Sequence, residues 1–418
     1  MTPERPLAAD GARMVADLRE LARLTSDAGG AQRVAWTPTW TRARSWLRER
    51  LAACGLTLDL DPAGNGWATR PGRPGTPTLL LGSHLDSVPD GGWLDGALGV
   101  VAALELLRAA AEQDWEEATL VLVDWADEEG SRFGHSLLGS SAATGLLDLD
   151  AVARLRDRDG LAFPAVAQEH GVTLAEMPRA AERLAGVDAL LELHIEQGPV
   201  LEAAGAALGV PTGAVAVERL RVCFGGQAAH AGTTPLALRH DAGAAASRLA
   251  LSARDAARRA GGLATCGRLT LEPGIATAVA ERAELLVDLR HAEQPAADAL
   301  RATVVDTAQA IAADERVEVA VEPLWATPAV RFDGALVAAL ADAVAASGVA
   351  APSLVSGALH DAVAVARSGV PAAMLFVRSI GGISHNRIED SGEDDLAAAL
   401  AVYAAAVEAT AARLTAPR

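Results

Sequence analysis

Residues 82–100 read GSHLDSVPDGGWLDGALGV, and this stretch decides the fold. An apolar run, 78–81, leads into it, and an amphipathic run, 96–111, follows. An apolar run ending in His, then a Gly-rich turn, then a helical pattern is how an α/β protein presents ligands at the carboxyl end of a strand. Imidazole and carboxylate together suit zinc and its transition-series neighbours, and a catalytic site leaves one position for water. Asp86, two residues beyond His84, faces the same way on an extended segment and is placed to accept the other ring N–H and fix the ligand's orientation. Asp95, just before the helix, is placed to ligate from its first turn. The competing reading is a polar loop with an N-capping Asp and a surface His.

The whole chain narrows the function class. Its 418 residues exceed what one core usually supports, so two domains are expected. Half the residues are hydrophobic and only 3% are aromatic, so the core is built from Ala, Val and Leu. Lys is absent, and every basic side chain is Arg. A formal charge of -18 argues against nucleic acid or an anionic membrane as partner. It leaves room for an anionic small substrate, because a local Arg or a metal reverses the field inside a cleft. Cys54, Cys223 and Cys266 are widely spaced with no C-x-x-C pair, which points to a reducing cytoplasm and away from a thiolate metal site. The first residues lack the apolar core of a signal peptide, and no apolar run approaches the roughly 20 residues that span a bilayer. The expectation is a cytoplasmic protein.

Three more apolar segments resemble the first. Residues 119–125, TLVLVDW, deliver Asp127, Glu128 and Glu129, a triplet that repels itself unless a cation sits nearby or water hydrates it in a loop. Residues 189–195, ALLELHI, carry His194 and run into Glu196 and Gln197, and residues 372–377, AAMLFV, precede His385 in GGISH. If these four strands lie parallel in one sheet, their ends converge on one crevice. Helical spacing marks 11–24 and 40–54, and 56–60 alternates like a strand. Between the third and fourth strands the pattern becomes β-α-β-β-α-β, with strands at 218–224, 268–271, 283–289 and 317–321 and helices at 241–260 and 296–312. That is a split-βαβ sandwich. The predicted class is α/β: a mostly parallel catalytic domain, residues 1–209 and 326–418, with an inserted α+β domain over 210–325. Helices at 333–346, 358–367 and after Glu393 complete it.

Six motifs now stand in order: GSHLDSVPDGGWLDGALGV, DEEGSRFG, LHIEQGP, GQAAHAGTTPLALRHDA, SGALHDA and GGISHN. Together they resemble the dinuclear zinc amidohydrolases related to aminoacylases and glutamate-type carboxypeptidases, over residues 78–395. HIEQGP and GQAAHAGTTP are most similar to the hydantoinase/carbamoylase branch, which includes N-carbamoyl-L-amino acid hydrolases, beta-ureidopropionases and allantoate amidohydrolases. The resemblance implies a zinc-peptidase-like catalytic domain, a ferredoxin-like lid and dimerisation domain, a homodimer, and two divalent ions per subunit, Zn or Mn, Co or Ni. By position, His84 and His194 hold one ion, Glu129 and His385 the other, and Asp95 bridges them. Glu128 is then the general base and acid for a metal-activated water, and His230 steadies the tetrahedral oxyanion, from the other subunit or by lid closure. Arg290 pairs with the substrate carboxylate, and Gln197 lines the pocket.

The implied reaction is hydrolysis of a linear non-peptide C–N bond, in an N-carbamoyl-L-amino acid or related ureido acid. Asp127 is left as a hydrated neighbour, His360 is expected to bond Asp361, and His240 stands between a motif role and a helix-start role. The sequence departs from the branch at three places. Thr277 replaces an Asn that contacts the substrate carboxylate in relatives, Leu359 replaces a small residue, and Arg387 stands where proline is common. These touch the pocket and leave substrate identity open, so an aminoacylase or dipeptidase, or a formyl or amidine hydrolase, remains an alternative. A non-catalytic metabolite-binding protein would show erosion of a ligand or of the base, and none is seen.

Overall fold

The apolar run at 78–81 extends into a buried strand, Thr78–His84, at the centre of a mixed sheet. The protein, described here by a computed structural model covering residues 6–349 and 351–416, divides into two units, Met1–Thr212 with Arg331–Arg418, and Gly213–Val330.

In the first unit the strands run in the order Leu208–Ala214, Ala372–Val377, Ala189–Ile195, Thr78–His84, Thr119–Trp125, Gly66–Arg70 and Asp59–Leu60. The middle four are mutually parallel, and their neighbours on either side are antiparallel. Register places Phe376 beside His194, Leu81 beside Leu191 and His84 beside Trp125, so the four carboxyl ends are level. These strands are continuous apolar runs, which is what burial on both faces requires. The run read as amphipathic, the helix Ala97–Glu112, is instead buried on every side from Ala97 to Ala110, including Glu105 and Arg108. Its charges are paired: Arg108 bonds Asp17 at 3.0 Å and Glu105 at 2.8 Å, and Glu105 also takes Arg13 from the helix Gly11–Thr25.

Several expectations need correction here. Residues 56–60 contribute only the short strand Asp59–Leu60, and the helix expected from 358 begins at Asp361. The segment between Thr119–Trp125 and Ala189–Ile195 carries short helices, Leu138–Ala143, Leu149–Ala153 and Phe163–Glu169, and a 3-10 helix, Leu174–Leu184. The helix Glu393–Thr415 is long and apolar enough to cross a bilayer by length and composition, against the sequence expectation. It nonetheless buries Leu396, Leu400, Tyr403 and Val407 inside this unit, and the Tyr403 hydroxyl donates to Leu191 O at 2.6 Å.

The second unit is an antiparallel sheet in the order Leu263–Glu272, Arg282–His291, Ala216–Gly225 and Glu318–Thr327. Leu220, Val222 and Phe224 alternate toward the helix Ala242–Ala260, capped by Asp241, and the helix Gln294–Glu315. This is the α+β arrangement expected from the β-α-β-β-α-β pattern. Both edge strands run several residues beyond their apolar alternation because most of their residues are exposed and carry no hydrophobic period.

Candidate metal centre

The level strand ends bring five ligand-type side chains of the first unit together. Asp95 lies at their middle. One carboxylate oxygen, Oδ1, is 3.3 Å from His194 Nε2 and 3.9 Å from His84 Nε2, while Oδ2 is 3.3 Å from His385 Nε2. His385 Nε2 is also 3.4 Å from Glu129 Oε2. Two groups share Asp95, His84 with Asp95 and His194, and Asp95 with Glu129 and His385, each offering ligand atoms within 4.8 Å of one another, and Glu192 with His194 and His360 makes a third that shares His194. The first is buried, whereas the His385 side chain is 50% exposed, so the second faces solvent.

Local backbone makes this approach possible. Gly96, at φ 64, precedes the helix Ala97–Glu112, and a Cβ there would lie 2.3 Å from the His84 ring. Gly92 similarly clears the Glu389 carboxylate, which a Cβ would meet at 1.9 Å. Asp127, Gln197 and His385 hold positive φ without being glycine, at 58, 57 and 54 degrees. Such a conformation stores about 1–3 kcal/mol each and clusters at sites the surroundings over-determine.

Around the ligands the hydrogen bonds differ in part from expectation. Asp86 does not take the His84 N–H on its carboxylate. His84 Nδ1 donates to the Asp86 main-chain oxygen at 3.0 Å, and the Asp86 carboxylate instead accepts the N–H groups of Glu128 at 3.2 Å and Glu129 at 3.1 Å. Asp86 therefore orients the Glu128 and Glu129 main chain. Asp127 does not sit in an open loop: it is fully buried and accepts Trp36 Nε1 at 2.6 Å. His360 bonds Ser356 Oγ at 3.1 Å rather than Asp361, and its ring packs 4.5 Å from that of His194. Gln197 donates to Asp95 Oδ2 at 2.8 Å, which makes it a neighbour of the ligand set.

Sequence reasoning missed Ser384, Glu389, Glu192 and Arg33. Ser384 Oγ donates to Glu389 at 2.7 Å and reaches Asp95 at 3.1 Å, while Glu389 accepts the N–H groups of Leu94 and Asp95. Ser384 precedes His385 in the last motif and Glu389 lies three residues beyond that motif, a signal that was available. Glu192, on the His194 strand, accepts Ser83 Oγ and Ala362 N. The contacts of Glu192 and Arg33 join distant segments and leave no trace in local pattern.

The electrostatics follow from burying so many carboxylates. Burial, then the charges of Asp361 and Glu129, push Glu128 well above the usual carboxylate range, and burial with Asp95 and Asp86 does the same to Glu129. Glu129 Oε1 is buried with no partner. Burial lowers His84 to about 4. Burial also opposes charge on His194, but its hydrogen bond and attraction to Asp95 outweigh that and hold it at about 9. A divalent ion competes with that proton for the same lone pairs, so ion binding here is coupled to proton release. An oxygen and nitrogen donor set without thiolate, split by one carboxylate into two groups, fits two borderline or hard divalent ions.

His230, Thr277 and Arg290 belong to the second unit and are described within it. The short strands Ala229–His230 and Ala278–Val279 pair, and Ala231 N–H donates to Thr277 O at 2.9 Å, so Thr277 and His230 are neighbours. Gly232 N–H donates to His230 Nδ1 at 3.0 Å, which leaves the proton of the neutral ring on the exposed Nε2. Arg290 is held by Asp288 through Nε at 2.8 Å. His240 donates to Arg316 O, a structural bond at the start of the helix Ala242–Ala260.

Comparison with known proteins matches this architecture. Residues 80–409 fit the family described as Peptidase family M20/M25/M40. The chain is 34% identical over 391 residues to the N-carbamoyl-L-amino acid amidohydrolase of Geobacillus stearothermophilus, covering 93% of this chain and 95% of that one. It is 32% identical over 365 residues to the allantoate amidohydrolase of Bacillus subtilis, covering 86% and 87%. A crystal structure of an amidase of the hydantoinase/carbamoylase family from Burkholderia multivorans superposes with a TM-score of 0.87 at 33% identity, over 97% of this chain and 98% of that one.

Proposed function

The chain belongs to peptidase family M20/M25/M40, and from that premise we propose that it is a metal-dependent amidohydrolase cleaving the linear C–N bond of an N-carbamoyl-L-amino acid or a related ureido acid. One observation carries the reading: the Asp95 carboxylate faces His84 and His194 with one oxygen and His385 with the other. We assign His84, Asp95 and His194 to one ion, Asp95, Glu129 and His385 to a second, and Zn, Mn, Co or Ni as the metal. Bound there, the two ions would polarise water and the scissile carbonyl.

The chain's own residues do the rest. Glu128, whose Oε2 lies 3.7 Å from His84 Nε2, takes the proton of the attacking water and returns it to the leaving nitrogen. His230 presents Nε2–H to the oxyanion, a contribution of about 3 kcal/mol in comparable sites. Arg290 holds the substrate carboxylate with its fork, its guanidinium already aligned by Asp288. Thr277 offers a hydroxyl beside His230, and Gln197 keeps Asp95 in place. The enzyme works as a homodimer in this proposal, supported by exposed Leu263, Leu269, Leu271 and Ile275 of the second unit, which a second copy would cover.

The test is ammonia release from a panel of N-carbamoyl-L-amino acids and allantoate, with enzyme stripped and reloaded with Mn or Zn. Release from one ureido acid, dependent on the metal, is expected. Metal-loaded enzyme that releases no ammonia from any of them, but cleaves acyl, formyl or peptide substrates, would overturn the ureido assignment and make Thr277 and Leu359 the residues that set specificity.

A further inference from the structure

Arg33 is fully buried. Three hydrogen bonds clamp it to the segment that follows ligand His84: its N–H donates to Ser87 Oγ at 3.1 Å, Ser87 N–H donates to its carbonyl at 3.2 Å, and its Nε donates to Leu85 O at 2.7 Å. The two outer guanidinium nitrogens are buried and have no acceptor. The carboxylates whose charge reaches it are Glu389, Asp95, Asp86 and Glu129. Two of these are assigned as ligands. The other two hold ligand loops by accepting main-chain N–H groups of Leu94, Asp95, Glu128 and Glu129.

A guanidinium in such a place stays charged, is costly to bury, and is too enclosed to meet substrate. Its effect must pass through the ligand set. It offers the carboxylates a permanent positive charge, so they are not left mutually repelling when an ion departs. The same charge opposes a second divalent ion. Asp95 is common to both ions, so what separates them is Glu129, which lies in the field of Arg33 and belongs to the open group alone, where His385 is half exposed while His84 and His194 are sealed.

We propose that Arg33 is a fixed internal cation of the metal centre, a positioning residue that holds the segment after His84 and makes the ion at Asp95, Glu129 and His385 the exchangeable one. This rests on the metal assignment proposed above. The experiment is metal analysis of the full-length wild type, Arg33→Met, Arg33→Gln and Arg33→Lys, each loaded with Mn or Zn and dialysed against graded chelator. Wild type is expected to hold two ions and release one first. The neutral variants are expected to keep that ion to about tenfold higher chelator, and Arg33→Lys to behave as wild type. Wild type that takes up no ion under any loading would sink the metal assignment itself. Two ions in wild type with weaker retention in all three variants, or unchanged retention in the neutral ones, would reduce Arg33 to a structural support. Failure of both neutral variants to fold, with Arg33→Lys folded and unchanged, would assign the charge to folding and equally overturn the proposal.

Discussion

The two units spend their polar residues in opposite ways. In the first, Asp86, Asp124, Asp127, Glu128, Glu192, Asp361 and Glu389 are buried together with His84, His194 and His360, against buried Arg33 and Arg44. In the second, Thr327 is the only buried polar side chain among the described residues, and the core is Ala, Leu, Val, Ile and Phe. Its charges sit on the outside in pairs such as Arg221 with Glu322 and Arg219 with Asp288. Burying a carboxylate without a cation is among the costliest choices a fold can make, so the unit that does it repeatedly is the one arranged around charge. The other is a scaffold, and its candidate residues, His230, Thr277 and Arg290, are carried at its periphery.

Replacing Glu128 with Gln gives the largest effect expected from this contrast. Turnover should fall by about 10^2–10^4-fold with metal content unchanged, and surviving turnover would mean that the base lies elsewhere. A core truncation in the scaffold should do the reverse. Phe224→Ala should cost about 3–5 kcal/mol of stability in denaturant titration, with the metal bound per folded molecule unaltered. Loss of metal in that variant would show that the scaffold also shapes the ion sites.

A third effect concerns pH. Burial, with the charge of Asp86, raises Asp127 to about 8, and burial, with Asp95, raises Glu389 to about 7. A carboxyl raised in the folded state stabilises fully below its unfolded value, and that stability is lost as pH rises through the folded value. Chelated protein should therefore melt progressively lower from about pH 4 to pH 8, by at most about 1.4 kcal/mol per pH unit per group. Reloaded protein should show a flatter profile. A chelated protein that gains stability over that range would show that these carboxylates are ionised and satisfied in the fold.

What the sequence made legible was what lies close along the chain. His84 and His194 lie at the ends of apolar strands and Glu129 four residues beyond one, so strand ends marked them as candidates and four such strands gave the parallel class, while the proposed ligand set with Asp95 and His385 came from the resemblance of the motifs. Asp127 misled because three adjacent acids suggest hydration; a left-handed turn at that residue sends its carboxylate inward to Trp36, 91 positions away. Arg33 and Glu192 were invisible for the same reason, since their partners are remote in sequence. The edge strands of the second unit were read short because exposed backbone pairing needs no apolar alternation. The bilayer-length helix Glu393–Thr415 was overlooked because its apolar character is spread thinly through alanine.

The strand order has a consequence for how the molecule is made. Ala372–Val377 lies between Ala189–Ile195 and Leu208–Ala214, both of which leave the ribosome far earlier. A nascent chain of some 350 residues therefore holds a sheet with a gap one strand wide, and the segment that fills it also brings in His385. The second unit, contiguous in sequence, can form its own sheet while that gap stands open. The proposed ion centre is thus completed only late in synthesis, and truncation before residue 372 should yield a folded second unit beside an aggregation-prone, unfinished first one.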